Sequence, residues 1–554
     1  MRQWLALSVI LLMCVAAIWQ GERNRVDVPA SPAAILHLIA DTEQELTRMP
    51  VRFTRLSDQE EIAIGNEMAR SYDAGNERKS EQTKEVEAYL NQVGARLVPF
   101  AHRKLPYRFH YIPETGFINA FALPGGHVYV GEGLLALMDS EDELASVIGH
   151  EMEHIDHYHC AERVQQEQAL RKLPLGGLVA IPMEVFEAGY SKDQELEADR
   201  EGTRLAVKAG YSANGAIRMF ATFQRLYEEW QSPAMNPADE LSRVTYETLA
   251  GYFRSHPLPS ERIQQINTLI ASEHWELKPE RDLEVAYIFW TQKALRALEA
   301  HRYADAASLA TQSLKLHAAQ PRALRVLAQA QFAQARFRDA ADSCHELLKL
   351  EPSDSGATNS FAMALAANNR GQAFGEFQDW REGEKRALSS DVRVPYAGLA
   401  LLAGNAEFAA QLRSQLTDPE LLGQLGWWYY QAKDYRAAEE LLENALQQRP
   451  GGATFRIHLA WAQIELDRLN DALETLNTAY GEDAAGPERT MARAVTEWRA
   501  QQGDAALSDY EAALAGQPEW ANPQWVSALY SSKAATAVET LQSEQEQRRK
   551  SRRP

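Results

Sequence analysis

Cysteine is nearly absent. Three thiols, Cys14, Cys160 and Cys344, are spread over 554 residues, too few for a disulfide framework to hold a fold of this size. With the N-terminal segment set aside only Cys160 and Cys344 remain, and spacing alone leaves open whether they pair. Positive charge is also scarce: 57 Lys and Arg stand against 77 Asp and Glu, a formal net charge of −20. That balance excludes nucleic acid as a partner, since no basic face offsets it. Between residues 30 and 300 no apolar run is long enough to span a bilayer, which excludes a multi-pass architecture. The remainder, 45% hydrophobic and 24% charged, is ordinary globular composition with room for two or three domains.

The two ends differ from the body of the chain. Arg2 precedes an apolar stretch from Leu5 to Ile18, short for a bilayer, and Val15-Ala16-Ala17 offers small residues for cleavage. Residues 1–20 therefore read as an export signal, with an uncleaved anchor as the alternative. Lipidation at Cys14 is disfavoured by the bulk of Met13. Residues 21–50 read as a linker. The basic run from Arg548 to Arg553 predicts a solvated, disordered tail over 541–554.

What the chain does contain is His150-Glu151-Met152-Glu153-His154, an HExxH. On an α-helix, residues four apart lie one turn apart on one face, so His150 and His154 can present two imidazoles to one metal. Glu151 then faces the metal's open side, placed to move a proton between a bound water and a leaving amine. Ser140-Glu141-Asp142-Glu143 has the form of a capping box, and Leu144, Val147, Ile148, Glu151 and Ile155 follow at helical spacing. Gly149, beside the first ligand, costs helix stability and is expected to let another segment pack closely.

A catalytic zinc site requires a third protein ligand. The metzincin spacing would place Gly at 157 and His at 160, where this chain has His157 and Cys160, so that class is disfavoured. His157 lies about 10.5 Å of helix rise from His150, too far to share one ion, and both it and His159 read as surface or outer groups. A better candidate follows in Glu195-Leu196-Glu197-Ala198-Asp199. On a helix, Glu195 and Asp199 share a face while Glu197 points elsewhere. Glu195 as a ligand and Asp199 as acceptor from a ligating imidazole is one reading; an acidic, solvated helix face is the other.

These residues resemble the gluzincin peptidase family that contains HtpX, BepA and the CAAX prenyl endopeptidases, over about Ser57 to Ile263. Glu195-Leu-Glu-Ala-Asp199 is similar to the family's Glu-x-x-Ala-Asp motif. The resemblance extends through Ser57 to Gly65, Val86 to Leu90, Asn119 to Val130, Ala209 to Ser212 and Ser255 to Ile263. It implies one zinc ion per chain held by His150, His154 and Glu195, with Glu151 as general base and acid and Asp199 behind the ligands. His256, in the His-Pro segment the family repeats, has three open roles: stabilising an oxyanion, closing the metal's fourth position as a latch, or holding a turn. One departure concerns Tyr158, which stands where BepA-like chains often have Arg before a final His, leaving any charge partner there in doubt.

Phe117 to Ala122 and His127 to Val130 are apolar, aromatic-rich runs separated by Pro124-Gly125-Gly126, a hairpin signal. Val128 to Val130 is expected to be the unpaired edge along which a substrate backbone pairs.

The second half repeats itself. Tyr303-Ala-Asp-Ala306 aligns with Phe337-Arg-Asp-Ala340, and Tyr435-Arg-Ala-Ala438 with Leu469-Asn-Asp-Ala472, each pair about one 34-residue tetratricopeptide period apart. Pro352, Pro450 and Pro518 stand where second helices should end, and Asp354 to Pro419 loses register as degenerate repeats. Stacked helix pairs give a concave surface suited to protein partners. The expected fold is mostly α: an α+β zincin domain with a small sheet over 51–275, then an α-solenoid over 284–540. By its resemblance to BepA the chain is expected in the periplasm, or anchored in the inner membrane facing it. The same resemblance implies zinc endopeptidase action on misfolded or stalled envelope proteins, with the outer-membrane protein assembly machinery as a partner through the repeats. A repeat-based chaperone or adaptor with a mostly latent site is the rival reading. Oligomeric state is not read from the sequence.

Overall fold

The computed structural model describes residues 56–73, 80–171, 190–231, 259–478 and 486–551. The expected export signal, the linker to residue 50 and His256 lie outside these residues. Two compact units divide the chain after Glu284.

The first unit contains helices α1 (Asp58–Asp73) and α2 (Glu81–Leu97), strands β1 (Arg108–Ile112), β2 (Ala120–Leu123) and β3 (His127–Gly131), a short α3 (Glu132–Leu135), then α4 (Glu141–Asp156), α5 (His159–Arg171), α6 (Lys192–Lys208), α7 (Asn214–Gln231) and α8 (Pro259–Glu273). α4 is the axis of this unit. All of its residues but Val147 are buried, because α6, α7, α2 and the sheet pack around it. Its start is set by a complete capping box: Ser140 Oγ accepts from Glu143 N–H while the Glu143 carboxylate accepts from Ser140 N–H. Its end is set by Tyr158, in the left-handed region at φ 62°.

Gly149 is where α6 crosses α4. A methyl group built on Gly149 would stand 2.7 Å from the Gly202 carbonyl oxygen, and one built on Gly202 would stand 2.6 Å from the His150 nitrogen. The two backbones therefore touch, which only glycine at both positions permits. Elsewhere Gly125 and Gly126, at φ 78° and 107°, make the tight turn between β2 and β3 that Cβ-bearing residues resist.

The hairpin is present, but its edge is not where the sequence suggested. β3 is the central strand, parallel to β1 from Arg108↔His127 to Ile112↔Gly131 and antiparallel to β2 from Ala120↔Val130 to Leu123↔His127. Val128 to Val130 has neighbours on both sides and offers no edge. The local pattern could place the hairpin, whereas the parallel pairing with β1 is a long-range event that alternation does not encode.

The second unit is a run of helix pairs. First helices begin at Ala286, Pro321, Ser355, Ser390, Pro419, Ala453 and Pro487. The interval is 34 or 35 residues except between Ser390 and Pro419, where the second helix, Glu407–Gln415, has only 9 residues. This pair breaks the register between Ser390 and Pro419, whereas the pair that begins at Ser355 keeps the interval. Second helices end at Leu350, Gln448 and Gly516, two residues before Pro352, Pro450 and Pro518, because the residue before proline avoids helical geometry. Within most pairs the inner turn is a left-handed residue, as at His301, Ala335, Lys433, Asp467 and Gln501. Each is followed by a bond reaching back five residues, such as Asp434 N–H to Tyr429 C=O at 3.0 Å, the Schellman closure.

The C-terminal segment does two unexpected things. Trp520, Trp525, Val526 and Leu529 are buried against the first helices. Gln431 Nε2 donates to Leu529 C=O at 2.5 Å, Ser531 N–H to Tyr430 Oη at 3.3 Å, and Tyr530 Oη to Glu488 at 3.0 Å. The face expected to be open for a partner is thus filled over these repeats by the chain's own residues. The basic end is also not a disordered tail up to Ser551: helix Ser532–Ser551 continues through it, with Arg548 bonded to Glu544 and Asp504. Glu544 one turn back and Asp504 from helix Gly503–Gly516 supply the counter-charge that composition alone did not locate.

Two substitutions probe these features. Gly202→Ala should destabilise the first unit by about 1–3 kcal/mol, the usual cost of overpacking, measured by denaturant unfolding. Lys433→Gly, at an exposed left-handed position, should instead stabilise the second unit by about 0.5–1 kcal/mol, since glycine adopts that conformation without strain.

Candidate active site

The crossing of α4 and α6 sets His150 and His154 against Glu195. His150 Nε2 lies 3.1 Å from His154 Nε2 and 3.5 Å from one Glu195 oxygen, and His154 Nε2 lies 3.8 Å from the other. Ligands about 2.1 Å from a common tetrahedral centre stand roughly 3.4 Å apart, so the two Nε2 atoms and the Glu195 carboxylate, one oxygen toward each imidazole, lie in the range a single zinc ion requires. All three side chains are buried. Two imidazoles and one carboxylate, with Glu151 beside them at the cleft, are the donor set of an open zinc site.

Ser191 caps α6 with a second complete capping box, which starts the helix one turn before Glu195. Tyr190 N–H donates to Glu195 at 3.0 Å, fixing that carboxylate from the rear. Asp199, one turn on, stands with Oδ1 2.8 Å from His150 Nδ1, at an angle outside hydrogen-bond geometry. Its other engagement is with Arg262 of α8, whose Nε and Nη2 reach its two oxygens at 2.7 and 2.5 Å. Burial raises the Asp199 carboxyl, but Arg262 and His150 outweigh it and hold it below its ordinary value. For His150, burial is opposed by Asp199 and Glu195, which raise it to about 10. Burial pushes Glu151 up to about 7, against the pull of His150.

His159 is not a surface group. The left-handed turn at Tyr158 swings it beneath α4, where its Nδ1 meets His154 Nδ1 at 2.9 Å. Its Nε2 lies 3.4 Å from Glu197, whose carboxyl is drawn down to about 2 chiefly by this contact. With His154 Nε2 turned toward the metal position, His154 Nδ1–H donates to His159, and His159 Nε2–H in turn faces Glu197. His157 is half-buried and pairs with Glu153 at 3.2 Å and Glu197 at 3.6 Å, away from the three ligand atoms. At Tyr158 a cation is supplied by Arg103, whose guanidinium lies 3.9 Å above the ring, pairs with Asp58 and Glu61, and donates to Ile155 C=O.

Three groups escaped sequence reasoning in different ways. Arg262 is 63 residues from its partner Asp199, a separation with no pattern to read. Glu197 was set aside as pointing elsewhere, and it does, toward His159. His159 was read with His157 as a surface or outer group; it is an outer group behind His154, and the break at Tyr158 that brings it there was not foreseen. Both remaining thiols are free and buried, in different units. Burial pushes the Cys160 thiol up, so it is no nucleophile. A second acid-rich cluster of His102, Glu153 and Asp156 is already committed: Asp156 accepts from the backbone of His102 and Arg103 and from Tyr107 Oη, at 2.7, 3.1 and 2.7 Å.

Residues 84–270 match the model of Peptidase family M48, while 291–357 and 429–494 match models of the tetratricopeptide repeat. The chain carries an M48 peptidase domain followed by tetratricopeptide repeats. It is 34% identical over 197 residues to the "Putative beta-barrel assembly-enhancing protease" of Vibrio cholerae, covering 32% of this chain and 37% of that one. To the beta-barrel assembly-enhancing protease of Escherichia coli it is 28% identical over 198 residues, with the same coverage. To the metalloprotease YcaL of Escherichia coli it is 28% identical over 237 residues, 39% of this chain and 82% of that one. The matched region thus spans little more than a third of the first two relatives. M48 peptidases are metal-dependent, and the His-His-Glu group of the M48 domain is where these residues fit an ion.

If His159 orients His154, His159→Ala should weaken zinc binding about 10–100-fold, as loss of such outer partners does elsewhere, with the fold retained. Chelator competition measures this, and unchanged affinity would remove the role.

Proposed function

We propose that the chain is a zinc-dependent metalloendopeptidase of the bacterial envelope, cleaving misfolded or stalled outer-membrane and periplasmic proteins. The observation that carries this is the convergence of buried His150, His154 and Glu195 with Glu151 beside them at a cleft. A zinc ion held there would acidify a bound water and polarise the scissile carbonyl. Glu151, beside the ligands in the cleft, takes the water's proton and returns it to the leaving amine. His150 is backed by Asp199 and Arg262, His154 by His159 and Glu197, so both imidazoles keep Nε2 aimed inward. His256 remains a candidate for oxyanion stabilisation or for a latch.

Substrate backbone has an edge to pair with on β2. Gly131 N–H donates to Asn119 C=O at 3.0 Å, which by antiparallel alternation turns Ala120 C=O toward the opposite side; farther along, at buried Ala122, that side is covered by Cys160, whose Sγ lies 3.6 Å from the Ala122 C=O. Among the described residues no strand pairs on that side, and Asn119 and Ala120 line the cleft. A peptide adding there is held by its main chain with little demand on sequence, as a quality-control enzyme needs. The envelope location draws on the expected export signal and on relatives named for beta-barrel assembly. The same names favour a second reading, in which the repeats assist assembly as an adaptor and the peptidase site is mostly latent.

Glu151→Gln separates the two. The variant should bind one zinc per chain yet lose casein cleavage by about 10²–10⁴-fold. If it also fails to support envelope integrity in cells, proteolysis is the function; full support without cleavage would make the adaptor reading the correct one.

A further inference from the structure

α4 stops at Asp156, just past His154, and its end is gripped by a residue that binds no metal. The last carbonyls of a helix have no partner within it. Arg103 Nη1 donates to Ile155 C=O at 2.7 Å, and Asp156 accepts from Arg103 N–H at 3.1 Å. The same guanidinium lies 3.9 Å above the Tyr158 ring. It is itself fixed: Nη2 reaches Asp58 at 2.7 Å and Glu61 at 2.5 Å, both on α1, and buried Glu61 also accepts from Gly125 N–H at 3.2 Å. Arg103 is only 8% exposed, so helix end, ring and α1 meet at one desolvated cation, the setting in which attraction between a cation and a ring is strongest.

Tyr158 needs that support. A residue with a side chain is strained at φ 62°. A right-handed residue there would instead continue α4 and carry His159, five residues past His154, about 140° around the helix from it. The left-handed turn brings the two Nδ1 atoms within 2.9 Å.

We propose that Arg103 is a positioning residue of the metal site: by covering Tyr158 and binding Ile155 C=O it holds the left-handed turn that delivers His159 to His154, which keeps His154 Nε2 turned toward the ion. This rests on the zinc-site reading above and deepens it. Arg103 acts on the ligand through Tyr158 and His159, its own contacts at this end being Ile155, Asp156 and the ring.

Zinc affinity is measured by chelator competition on full-length protein, each variant first shown to be folded by circular dichroism. Arg103→Met should weaken binding about 10–100-fold, the scale for losing a group that orients a ligand. Adding His159→Ala should weaken it little further, because both changes act on one bond. Adding Tyr158→Gly to Arg103→Met should instead restore most of the affinity, since glycine takes the left-handed conformation without strain. A residue that merely braced the fold would give losses that multiply with those of His159→Ala. If Arg103→Met does not fold, Arg103→Lys takes its place in the same comparisons, keeping the charge beside Glu61 and losing the flat guanidinium over the ring. Unchanged affinity, losses that multiply, or no recovery with Tyr158→Gly overturns the role of Arg103 and leaves the zinc site standing. A parent chain that binds no zinc overturns both.

Discussion

The contact between Gly149 and Gly202 is the constraint on which the first unit depends. Ordinary helices keep their axes 8–10 Å apart because side chains intervene; at this crossing backbone meets backbone. His150 follows Gly149 directly, and Glu195 and Asp199 lie within two turns of Gly202. The close approach therefore brings an imidazole pair and two carboxylates from different helices to hydrogen-bonding range. The rest of the domain braces that crossing. α7 and α8 press from one side, with Arg262 tying α8 to Asp199, while the sheet lies along the other side of α4.

How much of this was legible followed from how local each cause is. The capping box at Ser140, the i, i+4 pairing of His150 with His154 and of Glu195 with Asp199, and the hairpin turn at Gly125-Gly126 are all decided within a few residues. So is the 34-residue repeat, because each helix pair restates its own turns. Illegible features needed distant chain. β3 became central through parallel pairing with β1, and the open edge passed to β2. Arg262 reached Asp199 across 63 residues. His159 lay outside any helical extrapolation because Tyr158 reverses the chain, held by an arginine from the loop after α2.

The site also carries its electrostatic cost openly. Several carboxylates are buried around His150 with one arginine, Arg262, among them in the described residues, an arrangement unfavourable unless positive charge is shared with them. Arg262 commits to Asp199, Glu197 draws on His159, and Glu195 accepts from Tyr190 N–H while facing the two imidazoles. Ligand binding and the integrity of this corner are therefore coupled.

Repeat solenoids ordinarily behave as linear arrays, each unit touching only its neighbours, so that they fray from the ends and unfold piecemeal. Here Leu529, Tyr530 and Ser531 bond to three successive first helices, and helix Pro523–Leu529 also packs on Ser355–Asn368. These contacts join parts of the array more than 150 residues apart in sequence. A chain clasped in this way loses the free end from which fraying starts, and its repeats from Ser355 onward are bound to melt as a block, more like a globular domain than a ladder.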